Sequence, residues 1–215
     1  MQYRMAMKVT WVFDVISPFA YLSFKQLPQL PQPVEVQYLP VLFAGLLNHF
    51  GQKGPAEIDS KRRFTYRFAL WRARKMGIAM RMPPNHPFNP IMALRLIIAA
   101  GSTRPAIERV LDAVFLHGRD LADIAVIAEL AGALGVAEPA TALQAPDVKQ
   151  KLRDNTDWAI RKGIFGVPTI IVDDEFFWGH DAFEMAVDYM RDTTLFGDAE
   201  MRAIDSLPIG IMRNR

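Results

Sequence analysis

Two prolines, Pro18 and Pro168, each set against an apolar run with strand character, constrain the fold of this chain more than any other feature. The first follows Val9-Thr10-Trp11-Val12-Phe13 and leads into Ala20-Tyr21-Leu22-Ser23-Phe24-Lys25-Gln26-Leu27, which reads as a helix. Ser17 then falls at a natural N-cap and Pro18 at the first helical position. A helix start presents unpaired backbone N–H groups and a partial positive charge, so an atom lying beside Ser17 is favoured as an anion. Ser-Pro is also a common helix start, and the plainer reading of Ser17 as a cap alone stays open. The second proline lies in Gly163-Ile164-Phe165-Gly166-Val167-Pro168-Thr169-Ile170-Ile171-Val172. Proline cannot donate to a sheet ladder, so Pro168 marks a strand's first residue, an edge, or a turn with a cis bond open to it.

Between these landmarks the pattern is simple. Pro31 to Pro33 breaks the chain, and Val34-Glu35-Val36-Gln37-Tyr38-Leu39 alternates like a strand before Pro40. Strand, helix, strand in that order predicts a right-handed βαβ unit with two parallel strands. From about Val41 to about Ala145 the signal is helical. Helices are expected over Phe43 to Phe50, over Ser60 to Met76 with Phe64, Phe68 and Trp71 on one face, and from Pro90 to Gly101 with Asn89 as cap. Others are expected from Thr103 to His117, from Asp120 or Asp123 to Gly135, and from Asp147 to Lys162. Thr169 to Val172, an Asp173-Asp174 turn and Glu175 to Trp178 read as a hairpin, and Asp181 to Met190 as a closing helix. The tail from Thr193 to Arg215 is expected to pack as an irregular arm or to fray. The predicted architecture is α/β: a sheet unit of 1–41 and 146–196, an inserted helical unit of 42–145, and a tail of 197–215.

Composition narrows the chemistry. The chain has 215 residues and no cysteine, which excludes disulfides, thiolate metal sites and dithiol redox chemistry by its own side chains. Any thiol must arrive with a ligand. A net charge of +2 argues against a dedicated nucleic-acid binder. His49, His86 and His117 are scattered without metal spacing, so no metal is expected; His86 lies in a proline loop that could border a substrate pocket but reads more readily as a surface residue. Met1 to Lys8 lacks a long apolar segment, and the longest apolar run is far too short for a bilayer, so a soluble, cytoplasmic protein without membrane partners is expected. The basic run Lys61, Arg62, Arg63, Arg67, Arg72, Arg74 and Lys75 reads mainly as a solvated face, one or two members of which could attract a carboxylate. Trp11, Trp71, Trp158 and Trp178 are expected in the core, and Phe19 beside the Ser17 tip could line an aromatic pocket.

A strand, a helix tip bearing a polar residue, and a much later Gly-Val-Pro-Thr before a hairpin resemble the thioredoxin-like fold. With the helical insertion, the motifs Phe13-Asp14-x-x-Ser17-Pro18, Pro87-Phe88-Asn89, Gly166-Val167-Pro168-Thr169 and Phe177-Trp178-Gly179-His180-Asp181 resemble the DsbA family. Within it they are similar to the kappa-class glutathione transferases and 2-hydroxychromene-2-carboxylate isomerases, over nearly the whole chain to about Phe196.

The resemblance implies glutathione as cofactor and a small aromatic substrate as partner, with a homodimer as an open expectation. It implies that Ser17, with Pro18 and Phe19 at the same tip, hydrogen-bonds the glutathione sulfur and holds it as thiolate without being the nucleophile. It implies that the Val167 backbone, exposed by a cis bond to Pro168, pairs with the cysteinyl part. His180 and Asp181 match the positions that take the γ-glutamyl end, with a plain helix cap as the other reading of His180, and Lys61 matches the lysine that reaches the glycine carboxylate. Gln52 stands where the family often has asparagine, and Ala182 where it usually has arginine. The implied activity is isomerisation by reversible addition of glutathione thiolate to an unsaturated aromatic pyruvate. Transfer to another electrophile, or peroxidase action, is the alternative among enzymes, and a non-catalytic glutathione- or peptide-binding module is the alternative outside them.

Overall fold

A computed structural model describes residues 6–211. Four strands, β1 (Met7–Phe13), β2 (Val34–Pro40), β3 (Thr169–Val172) and β4 (Glu175–Trp178), form one sheet in the order β2-β1-β3-β4. β1 and β2 are parallel, with Met7 opposite Val34 and Phe13 opposite Pro40. β3 runs antiparallel to β1, Val9 facing Val172 and Val12 facing Thr169, and β4 completes the hairpin. The parallel pair needs a crossover, which α1 (Pro18–Gln26) supplies.

Seven helices follow β2: α2 (Phe43–Phe50), α3 (Asp59–Lys75), α4 (Ile91–Ala99), α5 (Arg104–Phe115), α6 (Ile124–Ala133), α7 (Pro139–Ala142) and α8 (Pro146–Arg161). The hairpin and α9 (Phe183–Arg191) come next, and α10 (Ala199–Ile204) lies in the tail. The tail thus carries a short helix where an irregular or frayed arm is expected. Its start is set by Asp198, whose carboxylate accepts the Met201 N–H at 2.8 Å. Of the two candidate caps before α6, Asp123 is the one used, accepting the Ala125 N–H at 2.8 Å. Asn89 sits one residue before the helix boundary, and its side chain still accepts the Ile91 N–H at 3.0 Å.

β1 is buried on both faces, so its alternation sorts residues between two apolar clusters rather than between core and water. Trp11 and Phe13 stack at 4.3 Å and join Tyr21 and Phe24 of α1 and the apolar faces of α4, α5 and α6. The Trp11 indole N–H donates to Ser23 Oγ at 3.1 Å, which satisfies its one polar atom inside the core. Val12 points the other way, to Leu39, Leu46 of α2, Ala159 of α8 and Val167. Fully burying a large apolar side chain stabilises by about 3 kcal/mol, so these central residues set the sheet's position against both helical layers.

Polar ties fix the second layer. Asn155 of α8 donates to the Pro40 carbonyl at 3.0 Å, and Thr156 Oγ1 accepts the Leu42 N–H at 3.0 Å while donating to Leu152 O. The end of β2 and the start of α2 are thereby pinned to α8.

Trp11 is fully buried and Trp158 partly so, but Trp71 and Trp178 are about half exposed (49% and 54%), against the expectation of four core tryptophans. The reason for Trp71 is that α3 turns Ala69 and Ala73 inward, small residues that bring the helix close, and leaves its aromatics at the rim. Phe64, Phe68 and Trp71 do share a face, stacked at 5.7 and 5.8 Å.

Candidate active site

The end of β1 delivers the chain into a tight turn closed by the Ser17 N–H on the Asp14 carbonyl at 3.1 Å. Ser17 has extended backbone angles (φ −85°, ψ 117°) and caps α1, its Oγ accepting the Ala20 N–H at 3.3 Å. Pro18 takes the first helical position, where a missing N–H costs nothing. The hydroxyl proton points to the Val167 carbonyl at 3.5 Å, the outer limit of a hydrogen bond. Ser17 is therefore a cap whose donor is poorly used, set among helix-tip N–H groups at a mostly buried position.

The facing wall is the segment before β3. The Val167–Pro168 bond is cis, Pro168 O accepts the Gly179 N–H at 2.8 Å, and Thr169 Oγ1 donates to Gly166 O at 2.8 Å. Gly166 lies against the Trp178 indole so closely that a Cβ there would collide with it. The Pro168–Gly179 bond carries the next residue, His180, to the α1 tip, where its ring stacks on Phe19 at 5.1 Å and approaches Phe68 at 6.3 Å.

His180 is 98% buried, yet neither ring nitrogen has a hydrogen-bond partner among the described residues. Burial pulls its pKa below the ordinary histidine value, and the Arg72 charge adds to that while Asp181 opposes it. Arg72 Nε is likewise buried without a partner. Asp181 is exposed, and its carboxylate occupies the space a Cβ on Gly179 would need; Gly179 has φ +95°. Arg72 and His180 thus bring two buried nitrogen groups without partners among the described residues near enough for their charges to interact.

A family model for the DSBA-like thioredoxin domain matches residues 8–191, from the first strand to the end of α9. The chain belongs to that family. Among curated relatives it is similar to glutathione S-transferase kappa 2 of Caenorhabditis elegans, 26% identical over 86% of this chain and 92% of the relative. It is also similar to 2-hydroxychromene-2-carboxylate isomerase of Pseudomonas putida, 29% identical over 83% of this chain and 92% of that protein. Among solved structures, a 2-hydroxychromene-2-carboxylate isomerase superposes with a TM-score of 0.78 at 23% identity, over 94% of this chain and all of that one.

In this DsbA-like thioredoxin domain, then, the fold unites Ser17, Pro18, Phe19, Val167, Pro168 and His180, with Asp181 at the rim. No hydrogen bond or ion pair among the described residues joins Gln52 or Lys61 to that group. Gln52 is exposed in the loop after α2, Lys61 is exposed in the first turn of α3, and neither side chain is hydrogen-bonded or ion-paired among the described residues. Two residues without a predicted role lie under the tip instead. Asp14 is fully buried, and burial raises its pKa to about 7 in spite of backbone hydrogen bonds that pull it down. His86, expected on the surface, is partly buried with its Nε2 2.6 Å from the Ile16 carbonyl. The signal for Asp14 was visible, an acid closing an apolar strand. Only its proline-rich loop marked His86, whose partner is 70 residues away.

A groove of about 860 Å³ lies elsewhere, lined by Ile98, Leu134, Val136, Ala142 and Val148, with Asp147 and Lys151 at its polar side. None of the residues at the α1 tip borders it. Among the described residues no group of three or more His, Asp or Glu could hold a metal ion, and no helix is long and apolar enough to cross a membrane.

Proposed function

We propose that this protein is a glutathione-dependent enzyme that holds the tripeptide's sulfur as a thiolate at Ser17 and uses it for reversible addition to an unsaturated aromatic pyruvate. One observation carries the reading: a helix-cap hydroxyl with a nearly unused proton, facing a cis-proline segment, in a chain that has no cysteine of its own. Anion-favouring N–H groups and a hydroxyl donor lower a thiol pKa, as they do for helix-tip cysteines. The names of the relatives, a glutathione transferase and an isomerase of an aromatic carboxylate, support the same reading.

In the proposed cycle the thiolate attacks the β-carbon of the conjugated ketone, and the alkene electrons move onto the carbonyl oxygen as an enolate. The former double bond rotates. The enolate then collapses, the carbon–sulfur bond breaks, and the thiolate leaves unchanged. The Val167 backbone lines the cysteinyl part of glutathione, His180 and Asp181 its γ-glutamyl end, and Lys61 and Gln52 its glycine end. The stacked face of Phe64, Phe68 and Trp71 beside Phe19 offers the aromatic ring a seat, and Arg72 offers its carboxylate a cation. The catalytic gain is thiol activation plus orientation. A second reading, transfer of glutathione to an electrophile that cannot eliminate, is favoured by the kappa-class relative.

Titration calorimetry with glutathione in buffers of different ionisation enthalpy tests the reading. Binding with proton release near neutral pH, lost in Ser17→Ala, is the expected result. No binding at millimolar glutathione overturns it. Product analysis then separates isomerised substrate from a stable conjugate.

A further inference from the structure

Ile16 immediately precedes Ser17, and both of its peptide groups are taken by buried or half-buried side chains. Its N–H donates to Asp14 Oδ1 at 3.0 Å, and its carbonyl lies 2.6 Å from His86 Nε2. We propose that Asp14 and His86 are positioning residues for Ser17, gripping Ile16 at its N–H and its carbonyl and so fixing where the α1 tip aims its hydroxyl. The inference rests on the thiol-activating reading of Ser17 and extends it to two residues that touch no substrate.

The chemistry of each residue fits the grip. Asp14 has a second oxygen, Oδ2, which accepts the Phe43 N–H at 2.9 Å, and its own carbonyl accepts the Ser17 N–H. It makes no ion pair among the described residues. A fully buried acid without a cation is costly, and packing alone would not retain one. The two N–H donors are accepted by two different carboxyl oxygens, whereas an asparagine amide would turn its NH2 onto one of them. The acid therefore ties the Ser17 turn to the first residue of α2.

His86 reaches the same turn from the proline-rich loop between α3 and α4. A carbonyl only accepts, so Nε2 carries hydrogen. On the other side of the ring Nδ1 lies 2.6 Å from the Tyr66 hydroxyl, which is also 3.0 Å from the His86 carbonyl. Tyr66 has one proton, so with a neutral ring it serves Nδ1 or the carbonyl, and with an imidazolium all three contacts are satisfied at once. The ring is flanked by Phe88 of its own loop and Phe115 of α5, and Tyr66 of α3 is the titratable group against it, with Arg62 acting in turn on Tyr66. Burial in this apolar setting favours the neutral ring. The Nε2–H tautomer needed for Ile16 is then selected by Tyr66 donating to Nδ1.

The test uses the full chain and three variants: His86→Phe, which keeps a ring without a donor, His86→Gln, whose amide can still donate to Ile16, and Tyr66→Phe, which leaves the histidine but removes its orienting hydroxyl. Amide hydrogen exchange at Ile16 and Ser17 reads the grip without any ligand. The ultraviolet thiolate absorbance of bound glutathione, followed against pH, reads its consequence. His86→Phe should speed exchange at both amides and lower the thiolate fraction near neutral pH, each by about tenfold, the loss of one hydrogen bond's free energy. His86→Gln should recover most of both, and Tyr66→Phe should fall between. Unchanged exchange in His86→Phe and Tyr66→Phe overturns the grip, and faster exchange with an unaltered thiolate titration overturns its role at the site. A wild-type protein that binds glutathione without any thiolate signal overturns the thiol reading instead, and with it the proposed consequence, while the exchange data still decide the grip.

Discussion

The hydroxyl of Ser17 stands 3.5 Å from the carbonyl oxygen of Val167, a residue 150 positions later in the chain. Capping already uses the oxygen as an acceptor, so the proton is the side chain's remaining resource, and Val167 holds it weakly. A sulfur anion entering between the two would gain a shorter, charge-assisted bond from the same proton.

Replacing Ser17 separates these two jobs. Ser17→Ala should lose about 1 kcal/mol of stability from the cap, read by denaturant midpoints. Its thiolate fraction with glutathione bound at neutral pH should fall about 10- to 100-fold, since hydrogen bonds to charged groups contribute roughly 1.5–3 kcal/mol. Ser17→Cys tests the tip with no ligand present. Its thiol should titrate below the usual value of about 8.5, seen as alkylation that stays fast on lowering the pH to 7. An ordinary titration would show that the tip does not favour anions.

Much of this was legible in the sequence because the information is local. The Ser17-Pro18 cap, the period-two run of β2 and the turn between Val172 and Glu175 each depend on neighbouring residues, and all fall where expected. Where the partner is distant, local pattern fails. Trp71 reads as core by hydrophobicity, but Ala69 and Ala73 take the inward face of α3. His86 reads as a surface residue because the carbonyl it meets belongs to Ile16. His180 was singled out by a resemblance, and its missing hydrogen bonds became visible only with its neighbours in place.

Asp14 should make stability fall as pH rises. Its folded pKa of about 7 lies above the ordinary 3.8, so between these values the folded state binds the extra proton. That stabilisation is complete below about pH 4 and is lost as pH climbs through 7. Integrated over the window it reaches about 4 kcal/mol. The buried histidines act oppositely: their lowered pKa values cost stability as pH falls below the ordinary 6.5. The difference between wild type and Asp14→Asn, measured by urea unfolding from pH 4 to 8, isolates the acid. A difference that does not change with pH would mean Asp14 titrates normally.

His180 gives a direct electrostatic readout by NMR. Its ring should titrate below 6.5 in the free protein, chiefly because it is buried. Arg72→Gln removes a repelling cation and should move that pKa up, and Asp181→Asn removes an attracting anion and should move it down. Both variants should stay below the ordinary value because burial is the larger cause. If Arg72→Gln leaves the titration in place, the two groups do not share a wall, and the carboxylate seat proposed for Arg72 loses its support.

Gly166 should be the least replaceable residue beside the cis-proline segment, for reasons of space rather than backbone angle. Its φ is not in the left-handed region, so alanine meets no backbone strain there. The obstacle is the Trp178 indole, which an added methyl would strike. Trp178 packs edge-on to Phe165 at 5.0 Å and is otherwise half exposed, so it can be pushed outward at the loss of that contact. Gly166→Ala is therefore expected to destabilise by about 1–3 kcal/mol, the usual range for overpacking. Because Val167 follows directly, glutathione affinity should fall as well. Removing the indole in Trp178→Ala should relieve the collision, so the alanine at 166 should cost little in that background and the cycle should show a coupling of about 1–2 kcal/mol. Additive effects would mean that the glycine is required by something other than Trp178.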